Sequence, residues 1–190
     1  MEHTKLRFGI IYGEKTFATN ELNELRESLK VYGVELLSQE TSPYTNACLD
    51  LLSPLVLFAT DPNFIQTLIS NVVSSGGYDA IKLVAKFLYS KFHNRHMTKI
   101  QGGKITEETA NVQLAIGNNR MVLPVDIDQD KYEYAVDKFF ETVKFLEEEK
   151  TQEQVYYMYS ESGERLIAKT ERQIIAEAYE RQRRREDDRG

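Results

Sequence analysis

The sequence predicts an α+β fold, a small mixed sheet packed on a central apolar helical pair, with a C-terminal β-hairpin and helix as an appendage. Three observations carry this. An apolar strand-like run at the start leads into an amphipathic helix and a short strand-like return. The middle of the chain, residues 47–92, holds an apolar block, a Ser75-Gly76-Gly77 break and a lysine-studded helix. Two hairpin signals, at Gly117-Asn118-Asn119 and at Ser162-Gly163, are each followed by a helix with capping residues.

Residues 6–12 read as a strand because Phe8, Ile10, Ile11 and Tyr12 dominate and Gly13 closes the run. Asn20 is the expected cap of a helix over 21–32, in which Leu22, Leu25, Leu29 and Tyr32 recur at helical spacing. Gly33 stands where a left-handed residue ends it. Residues 34–37 suit a second strand, giving a parallel βαβ order.

The apolar block 47–60 is broken only by Asp50 and Ser53-Pro54, which disfavours a long uninterrupted helix and leaves at most a first, broken helical stretch. A further helical piece opens after Asp61-Pro62 with Phe64, Ile65, Leu68, Ile69, Val72 and Val73 on one face. Across Gly76-Gly77, residues 78–93 place Ile81, Val84, Ala85, Leu88 and Phe92 on one stripe and Lys82, Lys86 and Lys91 beside it, so the two helices are expected to pack as a hairpin.

Residues 94–108 are polar and read as an exposed loop. Residues 111–116 and 121–127 alternate as hairpin strands, and Asp130 with Glu133 has capping-box spacing ahead of a helix carrying Tyr134, Val136, Phe139, Phe140, Val143 and Phe145. After Lys150 comes the second hairpin. There Val155, Tyr157 and Tyr159 alternate with Tyr156 and Met158, and residues 166–168 return. Thr170 with Gln173 then opens a last helix that ends in Arg181-Gln182-Arg183-Arg184-Arg185. The expected division is an α+β core domain over 1–150 and a hairpin plus basic-tipped helix over 151–190.

Composition narrows the function classes. Across 190 residues, 41% hydrophobic and 28% charged is ordinary globular usage. A formal charge of -6 argues against broad binding to a phosphate backbone, which needs a basic footprint. The single cysteine, Cys48, cannot form an internal disulfide and has no basic neighbour to favour a thiolate, so it reads as a small buried hydrophobe. With no signal-peptide pattern at Met1-Glu2-His3, the expectation is a cytoplasmic protein.

Chemistry-bearing motifs are sparse. Asp126, Asp128, Asp130 and Asp137 match calcium-loop positions one, three, five and twelve, but Lys131 holds the place of the turn glycine. His93 and His96 could chelate zinc from one helix face, with no further ligands nearby. Gly102-Gly103-Lys104-Ile105-Thr106 lacks the upstream glycine of a phosphate loop, since Thr98 stands there. No catalytic residue, cofactor site or metal site is assigned. The arginine-rich end with Tyr156, Tyr157 and Tyr159 could stack on RNA, but Glu186-Asp187-Asp188 offsets its charge. The helix over 78–93 could also lie in a headgroup interface, although its three lysines exclude a membrane span.

The order of elements over residues 5–149 resembles the small effector-associated adaptor modules of bacterial conflict systems. The likeness is carried by Leu6-Arg7-Phe8, the leucines of 22–29, the helix from Ile81 to Phe92 and the strands from Val112 to Ile127. That resemblance implies partner coupling without chemistry. This chain adds the second hairpin and basic-tipped helix beyond Lys150.

The function expected is that of a non-catalytic intracellular adaptor or regulatory protein with a protein partner. It would dock through the apolar helical pair or through the C-terminal helix, with Tyr157, Tyr159, Ile175, Tyr179, Arg183 and Arg184 as contact residues. The alternatives are a metal-dependent hydrolase or nuclease using dispersed carboxylates, and a peripheral membrane protein. Homo-oligomerisation is left open.

Overall fold

The computed structural model describes residues 6–41, 56–60, 76–101, 104–146, 154–160 and 165–187. β1 (Leu6–Gly13), α1 (Thr19–Lys30) and β2 (Val34–Thr41) form the expected parallel unit, in register from Leu6↔Val34 to Gly13↔Thr41. Gly33 has φ +71, and its N–H donates to the Lys30 carbonyl at 2.9 Å. This is the left-handed helix stop that glycine adopts without steric cost. The start of α1 differs from expectation: Ala18 is the cap, and Asn20 lies within the first turn. Glu21, at the third helical position, reaches back to accept the Ala18 N–H at 2.8 Å, while no side chain at the cap position takes an N–H of the first turn.

Part of the apolar block is a strand and not helical. β3 (Val56–Thr60) lies inside the sheet, antiparallel to β1 and parallel to β6 (Val112–Ile116). A strand with neighbours on both sides can be apolar throughout, which over five residues reads like a helical run. Cys48, the rest of that block and the helical piece carrying Phe64 to Val73 lie outside the described residues.

α2 (Gly76–Phe92) is the expected lysine-studded helix. The loop expected over 94–108 is instead a two-stranded antiparallel ribbon, β4 (His96–Gln101) with β5 (Lys104–Thr109), separate from the main sheet. Its register sets Ile100 opposite Ile105 and Lys99 opposite Thr106, so β-branched residues sit on both strands among the polar ones. Gly102 and Gly103 lie outside the described residues.

β6 and β7 (Asn119–Val122) form the expected hairpin, with Gly117 at φ +57 in the turn. The second strand stops at Val122, short of the expected Ile127. Pro124 has no N–H for a ladder, and the Ile127 N–H donates back to its carbonyl at 3.4 Å, turning the chain toward α3 (Gln129–Leu146). Asp130 is in the first turn of α3 and does not cap it. Glu133 is engaged by Gln129 at 2.8 Å and by Lys86 at 3.3 Å instead.

β8 (Val155–Tyr159) and β9 (Leu166–Thr170) pair as the second expected hairpin, followed by α4 (Glu171–Asp187). β8 also pairs in parallel with β7 through Asn119↔Val155, Arg120↔Tyr156 and Met121↔Tyr157. One mixed seven-stranded sheet results, in the order β2-β1-β3-β6-β7-β8-β9. Together with four helices it gives the α+β fold the sequence predicts. The proposed boundary near residue 150 falls in 147–153, outside the described residues, as does the turn at Ser162-Gly163.

The sheet has two unequal faces. Phe8, Ile10, Leu36, Phe58, Leu114, Met121 and Tyr157 project to the first, where they are buried against leucines of α1, against Ile81, Val84 and Leu88 of α2 and against Tyr132, Val136 and Phe139 of α3. At about 1.5–3 kcal/mol per fully buried large apolar side chain, this layer dominates the stability. On the second face, Tyr156 and Met158 pack with Ile174 and Ile175 of α4.

Candidate functional site

The second hairpin and α4 build the surface that the sequence singles out. Thr170 and Gln173 cap the helix reciprocally: Thr170 Oγ1 accepts the Gln173 N–H at 3.3 Å, and Gln173 Oε1 accepts the Thr170 N–H at 2.9 Å. Lys169 of β9 meets Glu177 of α4 at 2.5 Å and pins the second turn of the helix to the strand. Ile174 and Ile175 are therefore committed to the sheet, while Ala176, Tyr179, Glu180, Arg183 and Arg184 are exposed.

The six residues selected from sequence divide accordingly. Tyr157 is 3% exposed, with its ring 5.3 Å from that of Phe139, and is a core residue. Tyr159 is half-buried against the same core, and Ile175 against Tyr156 and Ile174. Tyr179 is 70% exposed, and Arg183, one turn on, and Arg184 are exposed as well. Of the six, Tyr179, Arg183 and Arg184 are therefore open to solvent, and the other three are packed. Burial raises the pKa of Tyr157, and that of Tyr156 is raised by burial too, with the Arg120 guanidinium near its ring working the other way.

Sequence reasoning missed a polar network between α2 and α3. Asp137 accepts from the Tyr78 hydroxyl at 2.5 Å and pairs with Lys82 at 2.9 Å, while the Lys82 ammonium sits 4.7 Å from the centre of the Tyr78 ring. Burial and the hydrogen bond to Asp137 push the Tyr78 hydroxyl up to about 12, and the Asp137 carboxylate raises Lys82. The signal available in sequence was the i, i+4 spacing of Tyr78 and Lys82; nothing local pointed to Asp137. With Lys86 on Glu133 and Lys91 on Glu21, all three lysines of α2 are paired to carboxylates of neighbouring helices. These pairs fasten α2 within the helical layer.

Below this network an open groove of about 360 Å³ runs between α2 and α3. Its polar groups are already engaged with one another. The Tyr132 hydroxyl donates to the Ala85 carbonyl at 2.8 Å, the Tyr89 hydroxyl to Ile127 at 2.9 Å and Ser90 to Phe87 at 2.8 Å, while Lys86 and Gln129 share Glu133. No set of free donors or acceptors converges there on a ligand position.

The calcium-loop aspartates do not assemble. Asp126, Asp128 and Asp130 are exposed around the start of α3, with Lys131 at 3.9 Å from Asp128, whereas Asp137 is held across the helical layer by Tyr78 and Lys82. His93 contacts the Val125 carbonyl through Nδ1 at 3.0 Å and Asn94 through Nε2 at 2.9 Å, while His96 starts a strand, so the two do not share a helix face. Lys104, Ile105 and Thr106 lie in β5. Among the described residues no three His, Cys, Asp or Glu side chains group as metal ligands, and no helix is long and apolar enough to cross a membrane.

No family model, curated protein or solved structure matches this chain.

Proposed function

We propose that this chain is a non-catalytic adaptor that docks a partner protein through the exposed part of α4, with Tyr179, Arg183 and Arg184 as the contact residues. The supporting observation is the 70% exposure of Tyr179, which follows Ile175 by one turn and so continues the apolar stripe of α4 past the part that packs on the sheet. A large aromatic in solvent with Arg183 one turn further on and Arg184 exposed next to it has the composition of interface hot spots, where tyrosine and arginine supply area and forked hydrogen bonding. Of the other expected docking element, the helical pair, Ile81, Val84 and Leu88 of α2 are buried in the core, and its first helix lies outside the described residues. A cytoplasmic setting, expected from the lone cysteine, goes with this reading.

The test compares the tagged full chain with its Tyr179→Ala/Arg183→Ala/Arg184→Ala variant in capture from host lysate, read by quantitative mass spectrometry. A partner enriched by the wild type and lost by the variant, at unchanged melting temperature, supports docking through α4. Equal capture by both removes α4 as the docking element.

A further inference from the structure

We propose that the outer edge of β2 is a pairing edge for a second copy of this chain, kept shut by the Arg26 side chain. β2 is the outermost described strand at its end of the sheet and is eight residues long. A strand in that position presents a row of open N–H and C=O groups, which folded chains protect against pairing. At the opposite end, β9 runs directly into α4 and is tied to it by Lys169 and Glu177. At the β2 end, among the described residues, one side chain of α1 protects the strand. Arg26 Nε donates to the Leu36 carbonyl at 3.4 Å and Nη2 to Ser38 Oγ at 3.1 Å. Nη1 donates to Asn23 Oδ1 at 2.7 Å, which fixes the plane of the guanidinium.

The sequence of β2 favours its own copy as the occupant. Two copies related by a twofold axis pair antiparallel with one residue opposite itself. With Leu37 on the axis, Leu36 falls opposite Ser38, Glu35 opposite Gln39 and Val34 opposite Glu40. No like charges face each other, and Leu37, 52% exposed on this strand, covers its counterpart. An axis at Ser38 would set Leu36 against Glu40 and Leu37 against Gln39, and one at Leu36 would set Leu37 against Glu35. Both of those leave the exposed Leu37 opposite a polar residue.

In the Leu37-centred register, Leu36 and Ser38 exchange backbone hydrogen bonds across the edge, and the Leu36 carbonyl is the one Arg26 occupies. In an extended strand the N–H and C=O of alternate residues share one side, so displacing Arg26 opens the row from Val34 to Glu40. Arg26 therefore acts as a latch: pairing requires it to swing away, and its two bonds to the strand oppose that.

The test is sedimentation velocity on the full chain over a concentration series. Wild type should remain monomeric where Arg26→Ala and Arg26→Gln form a dimer, with self-association at least tenfold tighter by the loss of competing bonds of about 1.4 kcal/mol or more. Register is read by cysteine pairing in the Arg26→Ala/Cys48→Ser background with oxidised glutathione as oxidant. Leu37→Cys should give a disulfide dimer, because facing residues at such an axis bring their Cα atoms within disulfide range. Gln39→Cys should not. Variants at Arg26 that stay monomeric throughout, a wild-type dimer insensitive to Arg26, or equal cross-linking through Gln39→Cys would each overturn the proposal.

Discussion

Lys91, in the last turn of α2, donates to both carboxylate oxygens of Glu21 at 2.5 and 2.7 Å, and the same carboxylate caps α1 by accepting the Ala18 N–H. One side chain thus ends a helix and joins it to its neighbour. The Lys91 hydrogen bond, followed by that of Ala18, holds Glu21 below the usual carboxylate range.

Glu21→Gln should cost about 1–3 kcal/mol at neutral pH, the range for losing charge-assisted hydrogen bonds with one partner left behind. The pH dependence has a fixed sign. A carboxylate whose folded pKa is lowered contributes fully above its unfolded value, and that contribution disappears as pH falls through the folded value. The gap between wild type and Glu21→Gln, measured by urea midpoints at neutral pH and at about pH 3, should narrow on acidification.

Leu88 is wholly buried on α2, facing the sheet. Leu88→Asp should destabilise by about 4 kcal/mol or more, because an unpaired carboxylate would replace apolar contacts. Lys86→Ala, on the exposed side of the same helix, should stay within about 1 kcal/mol of wild type in the same denaturant assay. Equal melting temperatures for Leu88→Asp and wild type would place that face outside the core.

Alkali should act on Tyr78. Its hydroxyl pKa is raised to about 12 by burial first and by Asp137 second, so the stability it contributes is complete below the ordinary tyrosine value and is lost as pH rises through the folded one. Tyr78→Phe should lose about 1 kcal/mol at neutral pH and show a shallower loss of stability between those values. Thermal melts across this alkaline window, with tyrosinate absorbance followed in parallel, check both parts.

How much of this was legible in the sequence depends on whether the signal was local. β1, α1 and Gly33 were readable because alternation, leucine spacing and a left-handed stop all lie within a few residues of one another. The Val155 to Tyr159 run showed its alternation but not which face is which: Tyr157, expected as a contact residue, joins the main core, and Tyr156 lies under α4. It could not reveal that β8 pairs with β7, since that contact joins segments separated by a whole helix. β3 hid in an apolar block because the partly buried Leu57 is as apolar as its buried neighbours Val56 and Phe58, so the run shows no alternation. The β4–β5 ribbon hid for the opposite reason, since its threonines, lysines and glutamates look like a loop until Ile100 is seen opposite Ile105. At the candidate site, exposure decided the assignment. Tyr157 and Tyr179 are the same residue type, and composition alone could not place one in the core and the other in solvent.

Residues 151–190 are proposed as a docking element that joins the sheet through β8 and lends Tyr157 to the core without being needed for the rest to fold, and removing those residues tests this most directly. The chain 1–150 loses the Tyr157 ring from Phe139 and exposes β7 as an edge, so it should melt at a lower temperature but still in one cooperative transition. In the same preparation it should fail to capture the protein that the full chain captures. Cooperative unfolding abolished in the shortened chain would contradict the account by making β8, β9 and α4 part of the core, and undiminished capture would contradict it by placing the docking surface elsewhere.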